Sequence, residues 1–244
     1  MIDILKILLE EKEMGYKGGL YHETQIKLAY NSNKIEGGSL TEEQTRFMYE
    51  TSSILVLASP ENGDSIKTDD IVEMNNHFFL FNKMLETANL DLSHELIKEY
   101  HLILKRGTSD ERKSWFAVGD YKKIPNTVGT SETSKPENVK ADIQELFNGY
   151  NKNNNIDLNK IIDFHVKFER IHPFQDGNGR VGRIIMFREC LKNNITPFII
   201  QDKNKIFYYR GIQEYPREKN FLRETCLHEQ DVYAERVKYL TRGR

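Results

Sequence analysis

Apolar residues recur at helical spacing along most of the chain, and strand-like alternation is confined to one short region. Between His22 and Glu36, Ile26, Ala29, Tyr30 and Asn33 fall on one face, and Gly37-Gly38 offers the left-handed residue that ends a helix. Thr41-Glu42-Glu43-Gln44 matches a capping box and leads into Phe47, Met48, Thr51, Ile54 and Leu55 on one face. A turn-rich connector, Ser59 to Asp64, follows. Thr68 then opens a helix with Ile71, Met74, Phe78 and Leu85 inward, and Ser93 opens another with Leu96, Ile97, Tyr100 and Leu104, closing near Gly107. Val139, Ile143, Leu146, Phe147 and Tyr150 make the next stripe, before an Asn/Lys-rich linker at Asn151 to Asn155. Further helices are predicted at 157–171, 180–193, 203–214 and 219–240.

The exception runs from Trp115 to Pro136. Its Gly, Pro, Thr and Ser content, with β-prone pieces around Tyr121 and Val128, predicts a hairpin or exposed loop in which Trp115 packs or anchors. There is no internal repeat. The pattern predicts one compact, mostly α domain.

Composition narrows the field only slightly. A formal charge of −2 gives no general drive toward nucleic acid or an anionic membrane, and no basic stripe or stacking platform is visible. Cys190 and Cys226 lack paired spacing, which suits buried thiols in a reducing compartment. The N-terminal apolar stretch meets charge too soon for a signal peptide or a spanning helix. The expectation is a soluble, cytoplasmic protein.

The chemistry concentrates in His172-Pro173-Phe174-Gln175-Asp176-Gly177-Asn178-Gly179-Arg180-Val181-Gly182-Arg183. Its three glycines spell the G-x-G-x-x-G of a dinucleotide-binding turn, and Asp202, after the apolar Pro197 to Gln201, sits where a ribose-binding acid belongs. The context argues against that fold. A central parallel strand should be almost wholly apolar, yet His165, Lys167, Glu169 and Arg170 interleave with Phe164, Val166 and Phe168. Ile161, Phe164, His165, Phe168 and Ile171 instead form a helical stripe, and five residues separate it from the first glycine. No Gly-Lys-Ser/Thr follows, so a Walker A loop is excluded too.

Helix, loop, helix is the better description. Pro173 ends the first helix by pushing its predecessor out of the α region. The second helix begins near Gly179-Arg180, and its free N–H groups make an anion site. Arg180 and Arg183, three residues apart, can fork onto phosphate oxygens, with the Asn178 amide donating to the same anion. Asp176 offers one hard oxygen to a magnesium ion, and His172 offers a base of near-neutral pKa. Together these are the parts of a phosphoryl-transfer site.

That segment resembles the HPFx[DE]GNGRxxR signature of the Fic family at every position, and the likeness extends over roughly residues 70 to 215. Gly119-Asp120-Tyr121-Lys122 through Asn126-x-Val128-Gly129 resembles the family's flap, with Lys122 where arginine is common. The resemblance implies a Fic-type helical domain with a small β-hairpin flap over the active-site loop. It divides the chain into an N-terminal helical region at 1–66, a core at 67–215 and a C-terminal helical extension at 216–244. It implies transfer of AMP from ATP, with Mg2+ or Mn2+, to a Ser, Thr or Tyr hydroxyl of a target protein, this chain itself included, releasing pyrophosphate. His172 would be the base and Asp176 the metal ligand, while Phe174, Gly177, Asn178, Gly179, Arg180 and Arg183 hold the nucleotide. Thr127, Val128, Gly129 and Thr130 would clamp the target by strand-like pairing. Tyr208 and Tyr209 resemble an aromatic pair near the adenine, with core packing as the alternative.

Ser32-Asn33-Lys34-Ile35-Glu36-Gly37 resembles the family's inhibitory [S/T]xxxE[G/N] motif, on a helix at about 22–37. Ser32 and Glu36 are four apart and share a helix face, so both can reach Arg183 and block its use by ATP. Removal of AMP by water aligned on Glu36, transfer of another phosphate-containing group, and a nucleotide-sensing module with little turnover are the alternatives. Neither nucleic acid nor membrane is expected as a partner; a homo-oligomer is compatible with the C-terminal helix.

Overall fold

The computed structural model describes residues 2–55, 66–129, 131–152 and 155–242, and the expected connector at Ser59 to Asp64 lies outside them. Within the described residues the chain runs as α1 (Ile4–Met14), α2 (Leu20–Ile35), α3 (Glu42–Thr51), α4 (Thr68–Glu86) and α5 (His94–Lys105), then β1 (Thr127–Val128) and β2 (Ser131–Glu132). It continues as α6 (Val139–Asn151), α7 (Leu158–Ile171), α8 (Asn178–Lys192), α9 (Lys205–Glu214) and α10 (Asn220–Leu240), with 3₁₀ turns at Ser109–Arg112 and Asp202–Asn204. The mostly α expectation holds, and among the described residues no helix is long and apolar enough to cross a membrane.

The fold is organised around α8. Every residue from Arg180 to Leu191 is buried, so this helix has no solvent face; α7, α4, α5, α2 and α1 all pack against it. Its charged residues must then find partners inside. Arg188, fully buried, pairs with Glu189 and donates to the Thr87 carbonyl at 2.8 Å, while Glu189 accepts from the Tyr150 hydroxyl at 3.0 Å. Cys190 and Cys226 are buried free thiols, as expected. α9 and α10 pack together and α10 reaches α2 and α7, closing the far side.

Local signals explain most boundaries. Thr41 and Gln44 form the reciprocal capping box, Ser93 caps α5 through the Leu96 N–H, and Gly37 adopts φ +87° after α2. The stripe continuing to Ile54 and Leu55 does not hold, because α3 stops at Thr51. There the Thr51 hydroxyl bonds back to the Phe47 carbonyl at 2.7 Å, Ser52 turns left-handed, and the Ser53 N–H donates to Thr51 Oγ1. Ile54 is left exposed.

The flap is smaller than the sequence suggests. Thr127 pairs with Glu132 and Val128 with Ser131, antiparallel, around Gly129. Tyr121 belongs to no strand; its ring packs against His94 and Phe174 and supports the loop beneath. Trp115 is substantially exposed, tilted over Phe116 and near the Lys113 ammonium, so it is not a core residue. The N-terminal apolar stretch, considered only as a membrane signal, is α1, whose buried Glu11 accepts from the Tyr21 N–H and so tethers the start of α2.

A core entirely enclosing α8 predicts a contrast in stability. Ile184→Ala, at a fully buried position of that helix, is expected to cost about 3 kcal/mol. Ile206→Ala, at a 73% exposed position of α9, is expected to change stability by less than about 0.5 kcal/mol. Urea unfolding checks both, as midpoint shifts at constant slope.

Candidate active site

α7 ends where the chemistry begins. His172 caps it in the left-handed region, φ 51° and ψ 63°, rather than in the extended conformation expected before Pro173, and its N–H donates to the Phe168 carbonyl at 2.9 Å. The turn that results carries the chain to Phe174, whose ring stacks on His101 with centroids 4.1 Å apart and planes 3° apart. Asn178 closes the loop on itself: its Oδ1 accepts from the Phe174 N–H and its Nδ2 donates to the Phe174 carbonyl, both at 2.8 Å. That amide therefore shapes the loop. Phe174 likewise is wholly buried and supports the loop from beneath.

Gly177 takes φ +81° to enter α8, which starts two residues before the predicted 180. At Gly179 a Cβ would collide with the Glu36 carboxylate, so only glycine permits that close approach.

His172 Nδ1 lies 3.2 Å from the Glu169 carbonyl. A carbonyl can only accept, so Nδ1 carries the proton and Nε2 keeps its lone pair. Burial, and then the nearby Lys122 charge, hold the imidazole below its ordinary pKa, against the backbone bond to Glu169 and the carboxylates of Glu36 and Asp176. This is a neutral base near pH 7.

Both arginines are buried and already paired. Arg180 meets Glu73 of α4, the Asp176 carboxylate at 3.2 Å and Asn33 Oδ1 at 3.3 Å. Arg183 donates through Nε to Ser32 Oγ at 3.0 Å, and through Nη2 to the Ser32 carbonyl at 2.8 Å and to Glu36 Oε1 at 2.7 Å. Ser32 and Glu36 thus converge on one guanidinium. Glu169 is the other carboxyl nearby, but burial and the Glu36 charge push it up to about 8 despite Arg183. Glu36 is the carboxyl in direct contact with the Arg183 guanidinium.

Asp176 lies between cations. Burial works against its ionisation, but Arg180 and Lys105 hold its carboxyl well below the usual range. Lys105 Nζ reaches Asp176 Oδ2 at 2.7 Å and Asp110 at 2.6 Å, and also contacts Glu73. Carboxylate oxygens of Glu73, Asp110 and Asp176 lie within 4.8 Å of one another around this ammonium. The half-exposed Asp176, ionised and with its second oxygen free of side-chain partners, fits a divalent ion that also touches phosphates and water. A cleft of about 160 Å³ lies against Asn33, Glu36, Glu73, Asp176 and Arg180. A larger one, about 280 Å³, opens at Tyr30, Asp202 and Arg236, away from the loop.

Glu73, Lys105 and His101 were not identified from sequence. Their signal was present: Glu73 precedes Met74 on an inward stripe, and His101 and Lys105 continue that of Ile97 at four-residue steps. A charge on an apolar stripe implies a buried partner.

The aromatic pair divides. Tyr208 is 1% exposed, with its hydroxyl 2.7 Å from His165 Nε2 and 3.5 Å from Arg183, so it backs the arginine and has no face for an adenine. Tyr209 is 45% exposed and donates to the Ile35 carbonyl at the end of α2, 3.0 Å away. Thr127, Val128 and Gly129 are exposed on the flap; Thr130 lies outside the described residues.

Residues 91–190, which hold the loop and both helices that frame it, match the model of the Fic/DOC family. Among curated relatives, the chain is 24% identical over 197 residues to the "Protein adenylyltransferase Fic" of Nematostella vectensis, covering 79% of this chain and 43% of that protein. It is equally similar to the "Protein adenylyltransferase fic-1" of Caenorhabditis elegans, covering 79% of this chain and 37% of that one. The chain thus spans less than half the length of these relatives. Its fold is shared with a solved Fic domain-containing signaling protein from Bacteroides thetaiotaomicron, at a TM-score of 0.74 and 20% identity over 97% of this chain and 94% of the other. The family match takes in the segment from His172 to Arg183, and the fold continues beyond it as in that solved protein, so residues 91–190 of the chain form a Fic/DOC domain.

Proposed function

We propose that this chain is a protein adenylyltransferase that moves AMP from ATP to a Ser, Thr or Tyr hydroxyl of a target protein, and that Glu36 restrains it. The observation that carries the reading is the convergence of a neutral imidazole, an α8 N-terminus and two arginines on one loop. The names of the curated relatives support the same chemistry.

In this mechanism the free N–H groups at the start of α8, with Arg180 and Arg183, bind the polyphosphate. His172 Nε2 takes the proton of the target hydroxyl as its oxygen bonds to the α-phosphorus, and the bond from that phosphorus to the pyrophosphate oxygen breaks. Asp176 would hold a divalent cation, which when bound offsets phosphate charge. The exposed edge at Thr127 to Gly129 is suited to pair with target main chain, so target side chains need contribute little. Arg183 is the point of control. While Ser32 and Glu36 occupy its donors, a terminal phosphate meets a satisfied guanidinium and a neighbouring carboxylate.

Intact mass after incubation with ATP and magnesium is the direct test. Glu36→Gly should take up AMP at least about tenfold faster than the unaltered chain, and adding His172→Ala should lower that rate by about 10²-fold or more. Equal labelling with and without Glu36 would remove the restraint from the reading. No labelling of the chain or of any protein in a cell lysate would remove the transferase.

Two further outcomes follow from the site's charges. The lowered imidazole pKa places the acid limb of the rate below the ordinary histidine value of about 6.5, because protonation at Nε2 removes the base. A pH profile of the Glu36→Gly variant checks this. Chelating divalent ions should abolish labelling, and adding Mg2+ or Mn2+ should restore it.

A further inference from the structure

Two lysines are buried among the described residues, Lys105 and Lys122, each 2% exposed. They differ in company. Lys105 faces three carboxylates. The Lys122 ammonium donates only to neutral oxygens: Asn126 Oδ1 at 2.7 Å, Thr133 Oγ1 at 2.6 Å and the Ile171 carbonyl at 3.3 Å. Burial lowers it to about 8, and Asp142 opposes that only through space. A buried cation without a counter-ion is costly, so its position needs a reason.

The three acceptors supply one. Asn126 lies on the chain entering the hairpin, Thr133 on the chain leaving it, and Ile171 is the last residue of α7, next to His172. Weaker stitches surround the same point. The Lys122 N–H donates to the Pro173 carbonyl at 2.9 Å, Asn126 Nδ2 to the Phe174 carbonyl at 3.0 Å, and the Ser134 N–H to the Ile171 carbonyl at 3.3 Å. Thr133 Oγ1 lies within 2.8 Å of both the Asn126 carbonyl and Asn126 Oδ1, joining the two legs. Both legs of the flap and both backbone neighbours of His172 therefore meet at one side chain and its flanking amide.

We infer that Lys122 is a positioning residue that fixes the flap relative to His172, holding the strand edge that receives the target and the base that takes its proton at a set separation. The inference rests on the proposed roles of His172 and the flap. An ammonium suits the task because its three N–H donors match three divergent acceptors, which a hydroxyl or a single amide could not. Its charge has a second effect. The charged groups acting on the imidazole are Lys122 from the flap base, Glu36 from the end of α2 and Asp176 from the loop. The two carboxylates favour imidazolium; burial is the main effect opposing them, and Lys122 adds to it.

Lys122→Met, with Lys122→Arg as the variant that keeps a cation, tests this in the full chain. Amide exchange at Ser134 should accelerate about tenfold or more in the methionine variant as the flap detaches locally. The His172 titration, followed by imidazole NMR and assigned with His172→Ala, should move to higher pH, since removing a nearby positive charge favours the protonated ring. Lys122→Arg should restore both toward the unaltered chain. In a Glu36→Gly background, Lys122→Met should slow AMP labelling by about 10- to 100-fold while ATP affinity stays within about twofold, as expected for misplacement and not lost nucleotide binding. An unchanged His172 titration, or unchanged Ser134 protection, overturns the inference. Should Lys122→Met fail to fold, Thr133→Val removes one acceptor and the same exchange measurement decides. The NMR and exchange readouts need no turnover. Absence of labelling in the Glu36→Gly parent would therefore count against the transferase alone and leave Lys122 to be judged separately.

Discussion

Arg183 has almost no water around it, and its guanidinium is the charge on which the arrangement of this molecule turns. Burial disfavours the ion, yet the Glu36 carboxylate holds it firmly protonated. Three of its contacts reach α2, about 150 residues earlier in the chain: the Ser32 hydroxyl, the Ser32 carbonyl and Glu36. Removing one partner of a buried pair leaves an uncompensated charge, which is far more costly than never having buried the pair. The N-terminal helix is thus bound to the central one by a need for charge balance as well as by apolar packing. In the proposed function a bound polyphosphate would satisfy the same need, so helix and nucleotide would compete for one guanidinium and restraint would be a property of the site's electrostatics.

A second charge relay lies one turn away and has a different character. Glu73 contacts both Lys105 and Arg180, and each of these also reaches Asp176. Every member except Asp176 is buried. The network fixes the carboxylate's orientation and ionisation together, as an oxygen ligand for a cation requires. Arg180 touches Asn33 as well, so the relay borders the same helix that holds Glu36.

Helical periodicity was enough to place most elements, because α4, α5, α6 and α7 each bury one face and show it in their spacing. Periodicity fails where burial is not one-sided. α8 is enclosed all round, so its arginines and Glu189 break any stripe; its existence was legible from the loop that precedes it and not from its own pattern. The loop itself was readable because glycine, proline and charge sit there at the fixed spacing expected of an anion-binding helix start. Pairings were less so. Ser32 and Glu36 could be matched to Arg183 through a resemblance, but nothing local to Lys105, Glu73 or Lys122 states which distant chain receives it. Asn178 and Tyr208 show a related limit: nothing in the sequence states that the Phe174 backbone engages the one, or that the other packs in the core behind Arg183, the second of the two roles left open for it.

The two buried arginines also differ in how removable their partners are. Arg180 is held by Glu73, mid-face on α4 and enclosed. Arg183 is held by Glu36, one-third exposed and at the cap where α2 gives way to Gly37-Gly38. A helix end frays at low cost, and an exposed carboxylate regains hydration when it leaves, whereas withdrawing Glu73 would require opening the core. The same distinction separates Ser32 from Glu36. Ser32 is 1% exposed and within the helix, so its hydroxyl would stay if the carboxylate departed. Motion confined to the last turn of α2 would then free one donor edge of Arg183 without unfolding the helix. In the proposed function the restraint would then sit at a helix end, which is less expensive to move than the enclosed Glu73.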